Sequence, residues 1–339
     1  MSRVLIIAEA GVNHNGDPTL AFRLVDEAKA AGADAVKFQA FSADSLVSSQ
    51  APKAAYQLET TPEEQSQRNM LRSLELSPDT FHKLAAYCAE RSISFLATPF
   101  DHASIDLLAA MKLPVFKVPS GEITNLPYLR KIGALGKEIF LSTGMSTLDE
   151  VAAALDILER AGTEPSSVTL LHCTTEYPAP VEEVNLHAMR TMREAFPGIK
   201  GVGYSDHTTG IVIPLAAVAL GAVVIEKHFT LNRTMNGPDH KASLEPAELA
   251  QMVAAIRQVE SALGDGCKTP SFSEQKNIAV VRKSIVTASR IRKGEVFSSE
   301  NITTKRPGAS LSPMMWDQLL GRKASRDYEQ DDPIDFFEV

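Results

Sequence analysis

Two stretches decide the fold: Val202-Gly-Tyr-Ser-Asp-His207 and Val223-Val-Ile-Glu-Lys-His228. Each opens on a short apolar run, Val202–Tyr204 or Val223–Ile225, and ends abruptly in ionisable residues. A segment of helical length separates them. The same unit recurs upstream. Val4–Ala8 leads into Glu9, Ala35–Val36 into Lys37 and Gln39, Ser94–Ala97 into Thr98, and Val115–Phe116 into Lys117. Ile139–Leu141 leads into Ser142 and Val168–Leu171 into His172. Eight β/α repeats make a parallel (β/α)8 TIM barrel, whose chemistry sits at the carboxyl ends of its strands. One pattern therefore predicts a barrel over residues 1–263 and proposes its active-site list.

The intervening helices carry their own signals. Ala21, Leu24, Val25 and Ala28 repeat with a helical period in Leu20–Ala30. Ser77 before Pro78 reads as an N-cap with proline at the first helical position. Thr147 and Glu150 have capping-box spacing, and Gly162 marks that helix's end. Glu245–Gly264 reads as the amphipathic helix of the eighth repeat. Phe41–Leu76 is too long for an ordinary βα loop and is expected to carry a short helix and substrate contacts. Residues 264–280 are polar and turn-rich and read as a linker. From Val281 onward, short alternating runs such as Ser284–Ile291 predict a small β-rich domain over residues 281–339.

The balance of the 339 residues, 44% hydrophobic and 22% charged, is that of an ordinary soluble protein. A formal net charge of −8 without a basic run argues against nucleic acid. Cys88, Cys173 and Cys267 are too scattered for a zinc knuckle or a disulfide framework, which fits a reducing cytoplasm. No apolar run is long enough for a transmembrane helix, and Glu9 interrupts the first one before it could serve as a signal peptide.

His207 and His228 end neighbouring strands, about 4.8 Å apart in a sheet, so two imidazoles could share a divalent ion. Glu9 and Asp239 are candidates for further or water-mediated ligation; Mn²⁺, Zn²⁺ or Fe²⁺ suits such a nitrogen and oxygen set. Two histidines held only by hydrogen bonds are the bland alternative. Lys37 and Lys117, with Ser120, Ser142 and Ser205 at similar heights, form an expected anion site, phosphate above all. A Schiff-base lysine is the competing reading. Glu9 and Glu122 are the candidate acid/base carboxylates, or else ion-pair partners of the lysines. His14 in the segment Gly11–Gly16 is a weak candidate, and Cys173 reads as a packed residue rather than a nucleophile.

Taken together, AEAGVNHNG (from Ala8), DAVKFQ (from Asp34), FLATPF (from Phe95), FKVPSGE (from Phe116), LSTGM (from Leu141), LHCTTEYPAP (from Leu171), GYSDHT (from Gly203), EKHFT (from Glu226) and GPDHKAS (from Gly237) resemble the sialic acid synthase family. RKS (from Arg282) and KRPG (from Lys305) resemble its antifreeze-like (SAF) C-terminal domain. The resemblance implies condensation of phosphoenolpyruvate with an N-acetylated mannosamine-type sugar to a nine-carbon keto acid. It implies that His207 and His228 hold Mn²⁺, or Mg²⁺ or Co²⁺. It makes Lys37, Lys117, Ser120, Ser142, Tyr177 and Ser205 the phosphoenolpyruvate site, Gln39 a further substrate contact, Glu9 the catalytic carboxylate with Lys117 and Glu122 as its catalytic partners, and Glu122 and Asp239 contacts to the sugar or to metal-bound water. Arg306 is implied to enter a neighbouring subunit's barrel, in a domain-swapped homodimer, and to hold the sugar's N-acetyl group. One departure is Thr175-Glu176, where some members carry asparagine. LHCTTEYPAPVEEVNL and GPDHKASLEP look most like the legionaminic acid branch, with N-acetylneuraminate as the other product. The rivals are a Schiff-base aldolase on the same barrel, a barrel retained only for binding, and a related synthase acting on phosphorylated aldoses.

Overall fold

The computed structural model describes residues 3–54, 58 and 65–335. It divides into two compact units, Met1–Asp265 and Gly266–Val339. In the first, eight parallel strands run in the order β3-β2-β1-β8-β7-β6-β5-β4. They are β1 (Leu5–Gly11), β2 (Ala35–Ala40), β3 (Ser94–Pro99), β4 (Val115–Val118), β5 (Glu138–Ser142), β6 (Val168–His172), β7 (Gly201–Asp206) and β8 (Val224–His228). First and last strands pair, Glu9 opposite His228, and β3 lies against β4, so the barrel is nearly closed. Each strand falls where an apolar run was expected. Most extend further toward their carboxyl ends, so Glu9, Lys37, Lys117, Ser142 and His228 sit within strands rather than in loops.

Both faces of these strands are buried, and residue parity separates their tasks. One parity, with Ile6, Phe38, Phe116, Leu170, Val202 and Ile225, packs outward against the helices. The other, with Ile7, Ala35, Leu96, Phe140, Leu171 and Val224, fills the barrel interior. Two residues further along each interior-facing strand the side chain is polar: Glu9, Lys37, Thr98, Ser142, Cys173 and Glu226. The apolar plug is thus the floor of the polar layer. Gly203 keeps the plug closed, because a Cβ there would meet the Val224 carbonyl oxygen at 2.6 Å and Leu171 Cδ2 at 2.7 Å.

The covering helices start where the sequence supplies caps. Asp17 accepts from Thr19 N ahead of α1 (Pro18–Ala30). The segment after β2 holds two short helices, α2 (Ala43–Leu46) and α3 (Gln67–Leu74). Ser77 accepts from Thr80 N at the head of α4 (Pro78–Glu90). There follow α5 (His102–Ala110) and α6 (Leu126–Gly133). The Thr147–Glu150 capping box opens α7 (Leu148–Ala161), which stops at Gly162 with φ +125°. Next come α8 (Ala188–Ala195), α9 (Val212–Ala219) and α10 (Pro246–Leu263).

In the second unit, β9 (Ser284–Thr287) pairs antiparallel with β10 (Ile302–Lys305), and isolated bridges such as Ile291 to Tyr328 extend the pairing. A separate core of Ile285, Ile291, Phe297, Leu319, Tyr328 and neighbours fills it. The stretch read as linker is partly helical: Phe272–Val281 forms α11. Its signal was local, since Ser271 and Glu274 make a full capping box; a tertiary bond from Gly308 N to Ala279 O at 2.8 Å then ties the helix down.

A buried ion pair ties β7 to β8. Asp206 and Lys227 are register partners on the outward parity, and Lys227 Nζ lies 2.5 Å from Asp206 Oδ2 with both side chains 0% exposed. Tyr204 Oη donates to Asp206 Oδ1 at 2.9 Å, and Lys227 also donates to Thr208 O. Breaking such a pair by removing one member costs about 3–5 kcal/mol, because the other charge stays buried. Lys227→Met is expected to lose that much in urea unfolding. Asp206→Asn/Lys227→Met together should recover a large part of it.

Candidate active site

The polar layer surrounds a cavity of about 240 Å³ at the carboxyl ends of the strands. Glu9, Lys37, Gln39, Lys117, Ser120, Ser142, Tyr177, Ser205, His207 and His228 all line it. Ten of the residues predicted from sequence therefore converge. Glu122 and Asp239 line a second cavity of about 330 Å³, which shares Gln39, Tyr177 and His228 with the first. Arg306 belongs to the C-terminal unit, where it is exposed and follows β10.

At the centre stand two lysines and two carboxylates. Lys37 Nζ lies 2.8 Å from Glu9 Oε2 and 3.6 Å from Glu226 Oε2, and it donates to Thr98 Oγ1 at 2.8 Å. Lys117 Nζ lies 3.3 Å from Glu226 Oε1, which also accepts from Ser205 Oγ at 2.8 Å. Glu226 and Thr98 were not assigned site roles from sequence, although both occupy strand ends; their inward parity is the signal that marks them.

The environment drives the two carboxylates apart. Burial raises Glu9 above the usual carboxylate range against the pull of Lys37, and the charge on Glu226 adds to the rise. Burial would raise Glu226 too, but Lys117, Lys37 and the Ser205 hydroxyl outweigh it and bring it to about 2. Paired titratable groups pushed in opposite directions are the mark of acid/base division of labour. Glu226 stays ionised between the lysines, while Glu9 is the carboxylate whose charged form its surroundings disfavour. The lysines divide likewise. Burial pulls Lys37 down, but Glu226 and Glu9 overturn it and leave it raised. Lys117 is lowered by burial, which Glu226 offsets only in part.

Beside them lie the histidines, with ring centroids 5.5 Å apart. The Tyr177 ring packs 4.1 Å from His207 and 5.6 Å from His228. His207 Nδ1 bonds Thr174 O at 2.6 Å, which leaves Nε2 free of that bond and available to a ligand. His228 Nδ1 is buried without a hydrogen-bond partner, 3.9 Å from Asp239 Oδ2. Burial lowers His207 to about 4. His228 falls well below the usual range through burial, with His207 and Lys37 adding. Both are neutral imidazoles near pH 7, the form that binds metal. Among the described residues no three His, Cys, Asp or Glu side chains are spaced to hold an ion. Glu9 bonds Lys37 and Gln39 instead. The donor set therefore fits an ion held by two nitrogens, its remaining positions open to water or substrate.

The outer positions are set by backbone contacts. Ser120 Oγ accepts from Gly144 N at 3.0 Å and lies 3.1 Å from Cys173 Sγ. A Cβ on Gly144 would sit 2.8 Å from Ser120 Oγ and 2.9 Å from Cys173 Sγ, so only glycine allows this packing. Thr175 also lines the cavity and keeps a buried hydroxyl oxygen without a hydrogen-bond partner. Glu122 stands on a 3-10 turn, Ser120–Glu122, and accepts from Asn125 Nδ2 at 2.6 Å, away from the lysines. His14 is fully buried and accepts from Gly16 N at 3.0 Å; it lines neither cavity.

The NeuB family model matches residues 24–268, and the SAF domain model matches residues 282–336. The chain belongs to the NeuB family. It is 55% identical to the N,N'-diacetyllegionaminic acid synthase of Campylobacter jejuni, over 98% of this chain and 99% of that protein. It is 45% identical to the protein of the same name from Legionella pneumophila, over 94% of this chain and 90% of that one. Among solved structures, the N-acetylneuraminic acid synthetase of Leptospira borgpetersenii is similar, with a TM-score of 0.71 and 36% identity over 82% of this chain and 90% of that one. This NeuB-family chain thus combines a barrel and a SAF domain, as its motifs implied.

The lysine asymmetry has a measurable consequence. Lys117 holds an anion only while protonated, so affinity for inorganic phosphate should fall as pH rises through its lowered pKa. By calorimetric titration the fall should begin below the pH at which an ordinary lysine would cause it. Lys117→Met should weaken binding and flatten this alkaline loss, whereas Lys37→Met should weaken binding and keep it.

Proposed function

We propose that this NeuB-family enzyme condenses phosphoenolpyruvate with 2,4-diacetamido-2,4,6-trideoxymannose, giving N,N'-diacetyllegionaminate and phosphate. The reaction class, joining phosphoenolpyruvate to an N-acetylated hexosamine to form a nine-carbon sialic-type acid, is that of its family. The observation that carries the reading is a single cavity in which Lys37 and Lys117 stand beside the His207–His228 pair. The 55% identity to a legionaminic acid synthase supports the acceptor.

In this reading Lys37, Lys117, Ser120, Ser142 and Ser205 hold the phosphate and carboxylate of phosphoenolpyruvate. His207 and His228 would hold a divalent ion, Mn²⁺ or else Mg²⁺ or Co²⁺, which when bound supplies Lewis acidity toward a carbonyl oxygen. Tyr177, packed on both imidazoles, keeps their rings oriented. The methylene carbon of phosphoenolpyruvate bonds to the aldehyde carbon of the open-chain sugar, and positive charge develops on the second carbon. Glu9 faces that charge and takes one proton of the water that adds there, passing it to the former aldehyde oxygen, while the other proton leaves with phosphate; its raised pKa suits it to accept and return a proton. Phosphate then leaves by C–O cleavage, its growing charge met by Lys37 and Lys117. Glu122 and Asp239 meet sugar hydroxyls or amides. Among the described residues no helix is long and apolar enough to cross a membrane. We place the enzyme in the cytoplasm as a homodimer in which Arg306 of one copy reaches the sugar's N-acetyl group in the other.

The test is phosphate release with phosphoenolpyruvate and Mn²⁺ on that sugar and on N-acetylmannosamine, each with an EDTA control. The expected result is turnover abolished by EDTA and faster with the diacetamido sugar. Borohydride trapping of an enzyme–pyruvate adduct, with turnover indifferent to EDTA, would establish the aldolase instead. Glu9→Gln should lose turnover by on the order of 10²–10⁴-fold and still bind phosphoenolpyruvate. Loss of binding would mean that Glu9 mainly supports Lys37.

A further inference from the structure

The second cavity has a wall that the reaction steps do not use. On one side it is polar and continuous with the reaction centre through Gln39, Tyr177 and His228, with Glu122 and Asp239 beside them. The opposite wall is apolar. It is built on α2, α3 and the strand ends: Leu46 and Val47, then Met70, Leu71 and Leu74, with Phe100. Val12 and Phe41, which also line the cavity, form with Met70 and Leu74 a separate buried cluster against which Leu46, Leu71 and Phe100 pack.

We propose that this wall selects the acceptor by the chemistry of its far end, with Leu46, Val47 and Leu71 receiving the C6 methyl group of a deoxy sugar. The inference rests on the synthase reading above. The aldehyde carbon must reach phosphoenolpyruvate at the lysines, so the sugar's other end points away from the first cavity and into the second. Leu46, Val47 and Leu71 are half-buried, so they present apolar surface that a methyl group would cover. A hydroxyl or phosphate at C6 would lose water against these three side chains, which offer it no hydrogen bond, and that is the costly case. The arginines of α3 do not relieve it: Arg72 pairs with Asp44 at 2.6 Å, and Arg68 donates to Val47 O at 3.1 Å. Gln67, on the same helix, lines the cavity and has an amide able to bond a second acetamido group.

The experiment compares kcat/KM for 2,4-diacetamido-2,4,6-trideoxymannose, N-acetylmannosamine and N-acetylmannosamine 6-phosphate in the wild type, in Leu71→Gln and in the near-isosteric Val47→Thr. The Michaelis constant for phosphoenolpyruvate, within twofold of the wild type, serves as the check on folding. A contact with one methyl group is worth roughly 10-fold or more. Leu71→Gln should therefore cut the preference for the deoxy sugar over N-acetylmannosamine about tenfold, Val47→Thr should move it the same way by less, and the 6-phosphate should be the poorest acceptor throughout. An unchanged preference in folded variants, or a wild type that prefers the phosphorylated sugar, overturns the wall's role and leaves the synthase reading standing. A wild type that turns over none of the sugars overturns both.

Discussion

Everything at the mouth of this barrel depends on Glu226. Two ammonium groups, Lys37 and Lys117, are buried to 3% and 5% exposure on top of an apolar plug. Charges taken out of water at that depth persist only with close partners. Glu226 faces both lysines and is itself fixed by Ser205. Glu226 is thus shared between two cations, and Glu9 stands against one of them. Glu9 is the carboxylate whose charge is disfavoured, first by its burial and then by Glu226 beside it.

The layered barrel makes this economical. Along each strand the interior parity passes from apolar to polar in one two-residue step: Ile7 to Glu9, Ala35 to Lys37, Leu96 to Thr98, Phe140 to Ser142, Val224 to Glu226. The change recurs in five strands, staggered by the register, so that Ile7 stands opposite Glu226 and Lys37 opposite Leu96. The outward parity then anchors the chemistry from behind. Asp206 and Lys227 precede His207 and His228, and their bond across the ladder fixes the register that sets the two imidazoles side by side.

The helices after β2 add the remaining element. A barrel mouth lined only by lysines, serines and histidines binds small polar anions and has little to say about a sugar's far end. The apolar patch of α2 and α3, adjoining the polar wall, gives the site a direction from charged to apolar. A substrate that is anionic or electrophilic at one end and deoxygenated at the other matches it.

Much of this was legible in the chain. Short apolar runs ending in ionisable residues located all eight strands, and Ser77-Pro78 and the Thr147–Glu150 box located helix starts, because these signals depend on residues a few positions apart. Lys37, Lys117, Ser205, His207 and His228, which line one cavity, were legible as strand-end residues for the same reason. The helix at Phe272–Val281 escaped because its flanks look like linker, though its Ser271–Glu274 cap was present. What sequence could not settle was which strand-end residues face inward. Where both faces of a strand are buried, hydrophobicity does not alternate, so the parity of Glu226, Lys227 and Asp206 is invisible until the sheet closes. Sequence alone determined the repeat, the caps and the kinds of groups at the mouth. Only the tertiary structure decided that Glu226 sits between both lysines and that burial opposes the charge on Glu9, because charge is tuned by distance and desolvation between segments far apart in the chain.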